Sequence, residues 1–179
     1  MRPRGPPVRE LHKEFEACVE TRIATVVLAR WQEDADLAAY FATGEGIRPI
    51  EAADLLRSQS FRAPFCGVVL AAADEKRVGS VRAADLETRI DAYLLMPCPS
   101  AFVEDGWLKA RITNRMRALC QDNAGVLEDG DGLLTSALSR FQTLTFAGQL
   151  VTANSAATLT RLTVVYTTEI DEETRGSIE

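Results

Sequence analysis

The sequence predicts an α+β fold: an antiparallel sheet of about four strands, with a long N-terminal helix and a second helix packed on one face. Three observations predict it. Apolar residues recur at helical spacing near the N-terminus and again over residues 104–121. Period-2 alternation marks residues 86–96, and runs rich in β-branched and aromatic residues mark 139–146 and 158–170. Helices and strands do not alternate in a regular βαβ order, so a parallel sheet is not expected. At 179 residues and 46% hydrophobic, one domain spanning 1–179 is long enough to bury a core without disulfides.

Taken in order, residues 1–7 hold three prolines and two arginines. Proline fixes φ and removes a donor, so this stretch is expected to be an extended arm. Val8 to Trp31 reads as a long helix, with Val8, Leu11, Phe15, Val19 and Val26 on one face and Glu10, Glu14 and Glu20 off it. Asp34 to Thr43 reads as a short helix stopped by Gly44 and Gly46, and Ile50 to Ser58 as another helical turn. Pro64 to Leu70 is a continuous apolar run of strand length. Asp74 to Gly79 is polar and reads as a turn.

Leu86 to Met96 places Leu86, Ile90, Ala92, Leu94 and Met96 on one side and Glu87, Arg89 and Asp91 on the other, as a half-buried strand does. Glu104 to Gln121 is the second helix, with Leu108, Ile112, Met116 and Leu119 as its stripe. Lys109, Arg111, Arg115 and Arg117 are spread around it and read as a solvated flank. Ser139 to Phe146 and Thr158 to Ile170 close the chain as strands, joined by the small polar linker Gly148 to Ala157. In the last strand Leu162, Val164, Tyr166 and Ile170 share a face. Residues 171–179 form an acidic tail.

Composition narrows function by exclusion. Lys plus Arg is 20 and Asp plus Glu is 26, a formal net charge of −6. That balance argues against nucleic acid as the main partner, which needs a concentrated basic surface. No apolar stretch approaches the ~18 residues that cross a bilayer, so no membrane partner is expected. No apolar segment follows the basic start, so a signal peptide is not expected, and a reducing compartment is the default. The four cysteines, Cys18, Cys66, Cys98 and Cys120, form no close pair, which reads as small buried hydrophobes rather than zinc ligands. The single histidine, His12, lies beside the Pro-rich start and is a poor catalytic base. No phosphate-binding glycine loop is present. Glu128 to Gly132 fails as a calcium loop, because Arg140 stands where the bidentate Glu belongs; it reads as a turn. No catalytic residue, cofactor or metal site is expected.

The run Arg140 to Gln149 (RFQTLTFAGQ), a loop, and Leu159 to Glu169 (LTRLTVVYTTE) resemble the finish of tail-terminator and neck proteins of long-tailed bacteriophages. The strand Asp85 to Tyr93 and the helix Trp107 to Cys120 fit the same order, so the resemblance covers mostly Asp85 to Thr168. It implies a structural virion protein, not an enzyme. Such a protein forms a ring of about six chains with closed heterologous contacts. It caps the tail tube, meets the head connector, and passes DNA only as cargo. The implied location is the virion neck or tail, after assembly in the host cytoplasm. In that reading Arg2, Arg4 and Arg9 at one end, and Asp171, Glu172 and Glu173 at the other, are candidate subunit-interface residues by charge complementarity. An acidic lumen lining would let DNA slide, because like charges repel. The alternatives are a non-viral α+β adaptor or assembly protein, or an enzyme using carboxylates or the thiol of Cys66 or Cys98. Arg89 and Arg161 stand among apolar strand residues and are expected to pair within the sheet.

Overall fold

The computed structural model describes residues 19–54, 61–77, 83–97, 102–122, 126–128, 135–145, 150–151 and 156–171. In chain order these form α1 (Val19–Glu33), α2 (Ala35–Phe41), β1 (Gly46–Pro49), β2 (Phe65–Arg77), β3 (Ala83–Pro97), α3 (Phe102–Ala118), β4 (Val126–Glu128), β5 (Thr135–Thr145), β6 (Leu150–Val151) and β7 (Ala156–Asp171). The strands make one sheet in the order β1-β2-β3-β7-β5-β4, with β6 also paired to β7. The α+β class is as expected. Four long strands, β2, β3, β7 and β5, form the body of the sheet, and three short ones extend it. The sheet is mixed rather than purely antiparallel, because β1 runs parallel to β2. A parallel neighbour needs a crossover, and the segment between β1 and β2 is where the sequence predicts a helical turn at Ile50 to Ser58. Residues 52–54 form a short helical turn there, and 55–60 lie outside the described residues.

The core lies between the helices and one sheet face. Its helical side is the ridge Val19, Ile23, Val27 and Trp31 on α1, Leu37 and Phe41 on α2, and Ile112 and Met116 on α3. The sheet meets it with Cys66 and Val68, with Leu86, Ile90, Ala92, Leu94 and Met96, and with Leu162, Val164 and Tyr166. The α1 ridge recurs every fourth residue, so Val26 stands on its flank, half-buried, rather than on the buried stripe. On α3 the stripe begins at Ile112, since Leu108 is 38% exposed. No described helix is long and apolar enough to cross a membrane.

Polar ties hold the helices in register with the sheet. The Trp31 indole N–H donates to the Met116 carbonyl at 3.0 Å, which joins α1 to the last turn of α3. The Tyr166 hydroxyl on β7 donates to the Cys120 carbonyl at 2.6 Å, and Arg30 donates to the Leu119 carbonyl at 3.4 Å. The last carbonyls of a helix have no partner within it; here α1 and β7 supply the donors. Burial raises the pKa of the Tyr166 hydroxyl, so it stays a donor.

Asp34 links α1, α2 and α3. Its Oδ1 accepts from Leu37 N at 3.1 Å and caps α2. Its Oδ2 accepts from Nε (2.9 Å) and Nη2 (2.5 Å) of Arg115. The Arg115 guanidinium holds the carboxyl below its ordinary range against the opposing effect of burial. A carboxyl with a lowered folded pKa adds stability that is complete above its unfolded value and is lost as pH falls through the folded one. Asp34→Asn keeps a capping oxygen and removes the charge. The stability gap between wild type and Asp34→Asn is therefore expected to be widest at neutral pH and to shrink below about pH 4. Urea titrations at several pH values test this; a gap that does not change with pH refutes it.

Candidate functional site

The described helices lie on one face of the sheet, and residues of the other face, Val69, Asp91, Thr163 and Val165 among them, are also buried. The helix-free face alternates by register with the core face. Across its middle stand Val69, Asp91, Thr163 and Gln142, with Arg89 and Val165 on one side and Gly67, Tyr93 and Arg161 on the other. Arg89 donates from Nε to Oδ1 of Asp91 at 3.3 Å and from Nη2 to Oδ2 at 2.9 Å. The Thr163 hydroxyl donates to the same Oδ1 at 2.5 Å. Hydrogen bonding to Asp91 raises the Arg89 pKa further, so the guanidinium stays charged.

Asp91 is only 3% exposed, and Val69, Thr163 and Val165 are buried beside it. A buried carboxylate holding three donors is satisfied as an acceptor. Its geometry is that of a structural ion pair. Arg89 pairs within the sheet as the sequence predicts. The Arg161 Nε is buried with no hydrogen-bond partner.

At one end this face turns apolar. Phe61, Phe65, Leu95 and Ala157 are buried together, with Ile50, Ala63 and Leu159 against them. The Phe61 and Phe65 rings stack at 4.5 Å, and the Arg48 guanidinium lies 5.6 Å and 5.3 Å from their centroids. Glu45 holds Arg48 at 3.1 Å. Among the described residues the helix-free face therefore mixes Arg48, Arg89 and Arg161 with Glu87 and the buried Asp91.

The edges have a shape of their own. On one side β1 covers β2 only from Phe65 to Val68, and among the described residues no strand lies beside β2 from Val69 to Arg77. On the other side β4 covers β5 only from Thr135 to Ala137, leaving Leu138 to Thr145 with no described strand alongside. The two short strands occupy opposite corners, so each edge is a step. The outer rim of β1 is itself closed. Ile50 N donates to Val68 O at 3.0 Å, so alternation turns Ile47 and Pro49 outward. Pro49 has no N–H to offer, and the Ile47 carbonyl already accepts from Gln32 Nε2 at 2.8 Å.

Of the interface residues that the sequence suggests, Asp171 ends β7 opposite Ala83. Arg2, Arg4, Arg9, Glu172 and Glu173 lie outside the described residues, as do His12, Cys18, Cys98 and the Asp129–Gly132 turn. The thiols of Cys66 and Cys120 are buried and free. Burial pushes both up to about 12, so little thiolate forms at neutral pH. On α3, the flank expected to be merely solvated is partly engaged. Arg115 is held by Asp34, and Arg117 donates to Thr143 Oγ1 at 2.8 Å with its guanidinium 4.8 Å from the Phe141 ring centroid. No group of three or more His, Cys, Asp or Glu among the described residues is placed to hold a metal ion. The open edges and the Arg89–Asp91–Thr163 cluster carry no sequence motif. Only strand pairing, which places residues 72 positions apart in contact, reveals them.

No protein-family model matches the chain, and the comparison with curated proteins finds no match.

Proposed function

We propose that this protein is a structural subunit of a phage neck or tail, a tail-terminator ring that caps the tail tube and joins it to the head connector. One observation carries the reading. The stretch that resembles those proteins, Asp85 to Thr168, packs here as a strand, a helix and two closing strands in one helix-on-sheet block. Its last strand, β7, lies between β3 and β5 in the middle of the sheet. In this reading the work is mechanical: no catalytic residue or cofactor is used, and DNA passes as cargo. The oppositely charged ends, Arg2, Arg4 and Arg9 against Asp171, Glu172 and Glu173, add contacts between neighbours.

Native mass tests it, by light scattering coupled to size exclusion at several concentrations, with and without tail-tube protein. A discrete multiple near about six chains, formed alone or on adding tube protein, is the expected result. A monomer at every concentration that ignores tube protein overturns the reading.

A further inference from the structure

The geometry points to how the copies join: the outer edge of β2 that no described strand covers pairs, on the next copy, with the outer edge of β5 that no described strand covers. This inference rests on the ring reading and names its contact surface.

Strand directions allow it. Along the path β2, β3, β7, β5 every neighbour is antiparallel, so β2 and β5 run in opposite senses. Two copies placed side by side in the same orientation bring β2 of one against β5 of the other as a further antiparallel pair.

The steps then set the stagger. With no offset, β1 of the first copy collides with β5 of the second, and β4 of the second collides with β2 of the first. A slide of about four residues along the strands, roughly 13 Å, clears both short strands at once. It brings the open part of β5, Leu138–Thr145, alongside Leu70–Arg77 of β2. The resulting pairs are Leu70 with Thr145, Ala73 with Thr143, Glu75 with Phe141, and Arg77 with Leu138.

Hydrogen-bonding parity agrees with this independently. Val68 turns its carbonyl outward toward β1. Carried through the registers, alternation also turns outward the backbone groups of Leu70, Ala73, Glu75 and Arg77 on β2 and of Leu138, Phe141, Thr143 and Thr145 on β5. An even slide matches outward groups with outward groups and keeps the helices of both copies on the same side. An odd slide does neither.

The slide also fits closure. Four residues of offset across the four long strands is one residue per strand, which tilts the strands by about 35°. Closed barrels tilt their strands by roughly 35–45°. A slide of this size is what a closed ring of such sheets would use, and the same contact repeated around it pairs the described outer edges of β2 and β5.

Two measurements test the pairing. Hydrogen exchange on wild-type protein should slow at least about tenfold in segments 70–77 and 138–145 on assembly. The double variant Ala73→Cys with Thr143→Cys should form an interchain disulfide ladder on oxidation, since hydrogen-bonded pairs across antiparallel strands stand about 5.5 Å apart at Cα. Neither single variant should. A ring whose two segments exchange as they do in the monomer overturns the edge pairing and leaves the ring reading intact. A chain that stays monomeric with and without tube protein overturns both.

Discussion

Trp31→Ala is expected to cost about 3–5 kcal/mol, the range for truncating a large aromatic in a packed core. Trp31 has no exposed surface, and it is the largest side chain on the α1 ridge facing the sheet. The substitution removes its buried area and the donor to the Met116 carbonyl. It also opens a cavity where α1, α3 and β7 meet. Typical domains are stable by only about 5–15 kcal/mol, so this one change consumes a large fraction of the total. Trp31→Phe separates the parts. It keeps most of the volume and loses the N–H, and the Met116 carbonyl still accepts from Cys120 Sγ at 3.1 Å. Its cost should stay near about 1 kcal/mol. Urea unfolding of both variants checks this; an alanine variant less than about 1 kcal/mol below wild type contradicts the central place given to Trp31.

Gly44→Ala should be nearly as damaging, about 3 kcal/mol, for a different reason. A Cβ on Gly44 would overlap the Pro64 carbonyl oxygen and lie 2.6 Å from Pro64 N and 2.8 Å from the Ala63 carbonyl carbon. All three are backbone atoms, so no side chain can swing away. The turn after α2 must move off the segment that leads into β2, which also weakens the Glu45 N–H to Pro64 O bond of 3.1 Å. Gly46 provides the control. It has φ +77°, but a methyl group there would meet nothing within 4 Å. Gly46→Ala therefore incurs only the left-handed backbone penalty of about 1–2 kcal/mol. Thermal melts of the pair test the distinction. Equal losses would mean that close approach at Gly44 is not what excludes a side chain.

These two positions also show what can be read from the sequence. The glycines are legible as a helix stop, because chain punctuation is local. Which of them is needed for space and which for its φ is not legible, because that depends on a segment about twenty residues away. The long elements are legible for the same local reason: α3, β3, β7 and the described part of the N-terminal helix, Val19–Glu33, lie where periodicity places them, whereas its expected first half, Val8 to Cys18, lies outside the described residues; β3 divides its faces between Ile90 and Asp91 as alternation predicts. The polar stretch Asp74–Arg77 has the composition of a turn and is instead the outer half of β2, paired with Ala84–Glu87 of β3. Charged residues on an edge strand can face water, and pairing rather than propensity keeps them extended. The short strands β1, β4 and β6 are two to four residues long, below what a period-2 pattern can register. Their placement makes the stepped edges, so the candidate surface is hidden with them. The Arg89–Asp91 pair is half legible: the charges are visible in β3, whereas Thr163 arrives from β7.

One irregularity of the sheet has a mechanical meaning. Both register shifts, between Leu70 and Ala72 in β2 and between Leu138 and Arg140 in β5, flank a single cross-strand pair, Arg89 with Val165. Each inserts one unpaired residue, Ala71 or Ser139, and a bulge bends its strand and increases the local twist. Two bulges on one line score the sheet like a creased card. The central strands β3 and β7 pair without a shift through this line, so a bend there would swing the two panels about it. A panel about six residues long is a lever of roughly 20 Å, so a flexure of about 10° carries its far end some 3–4 Å. In the ring proposed above, small adjustments along that crease would let identical subunits accommodate differing radii without repacking a core.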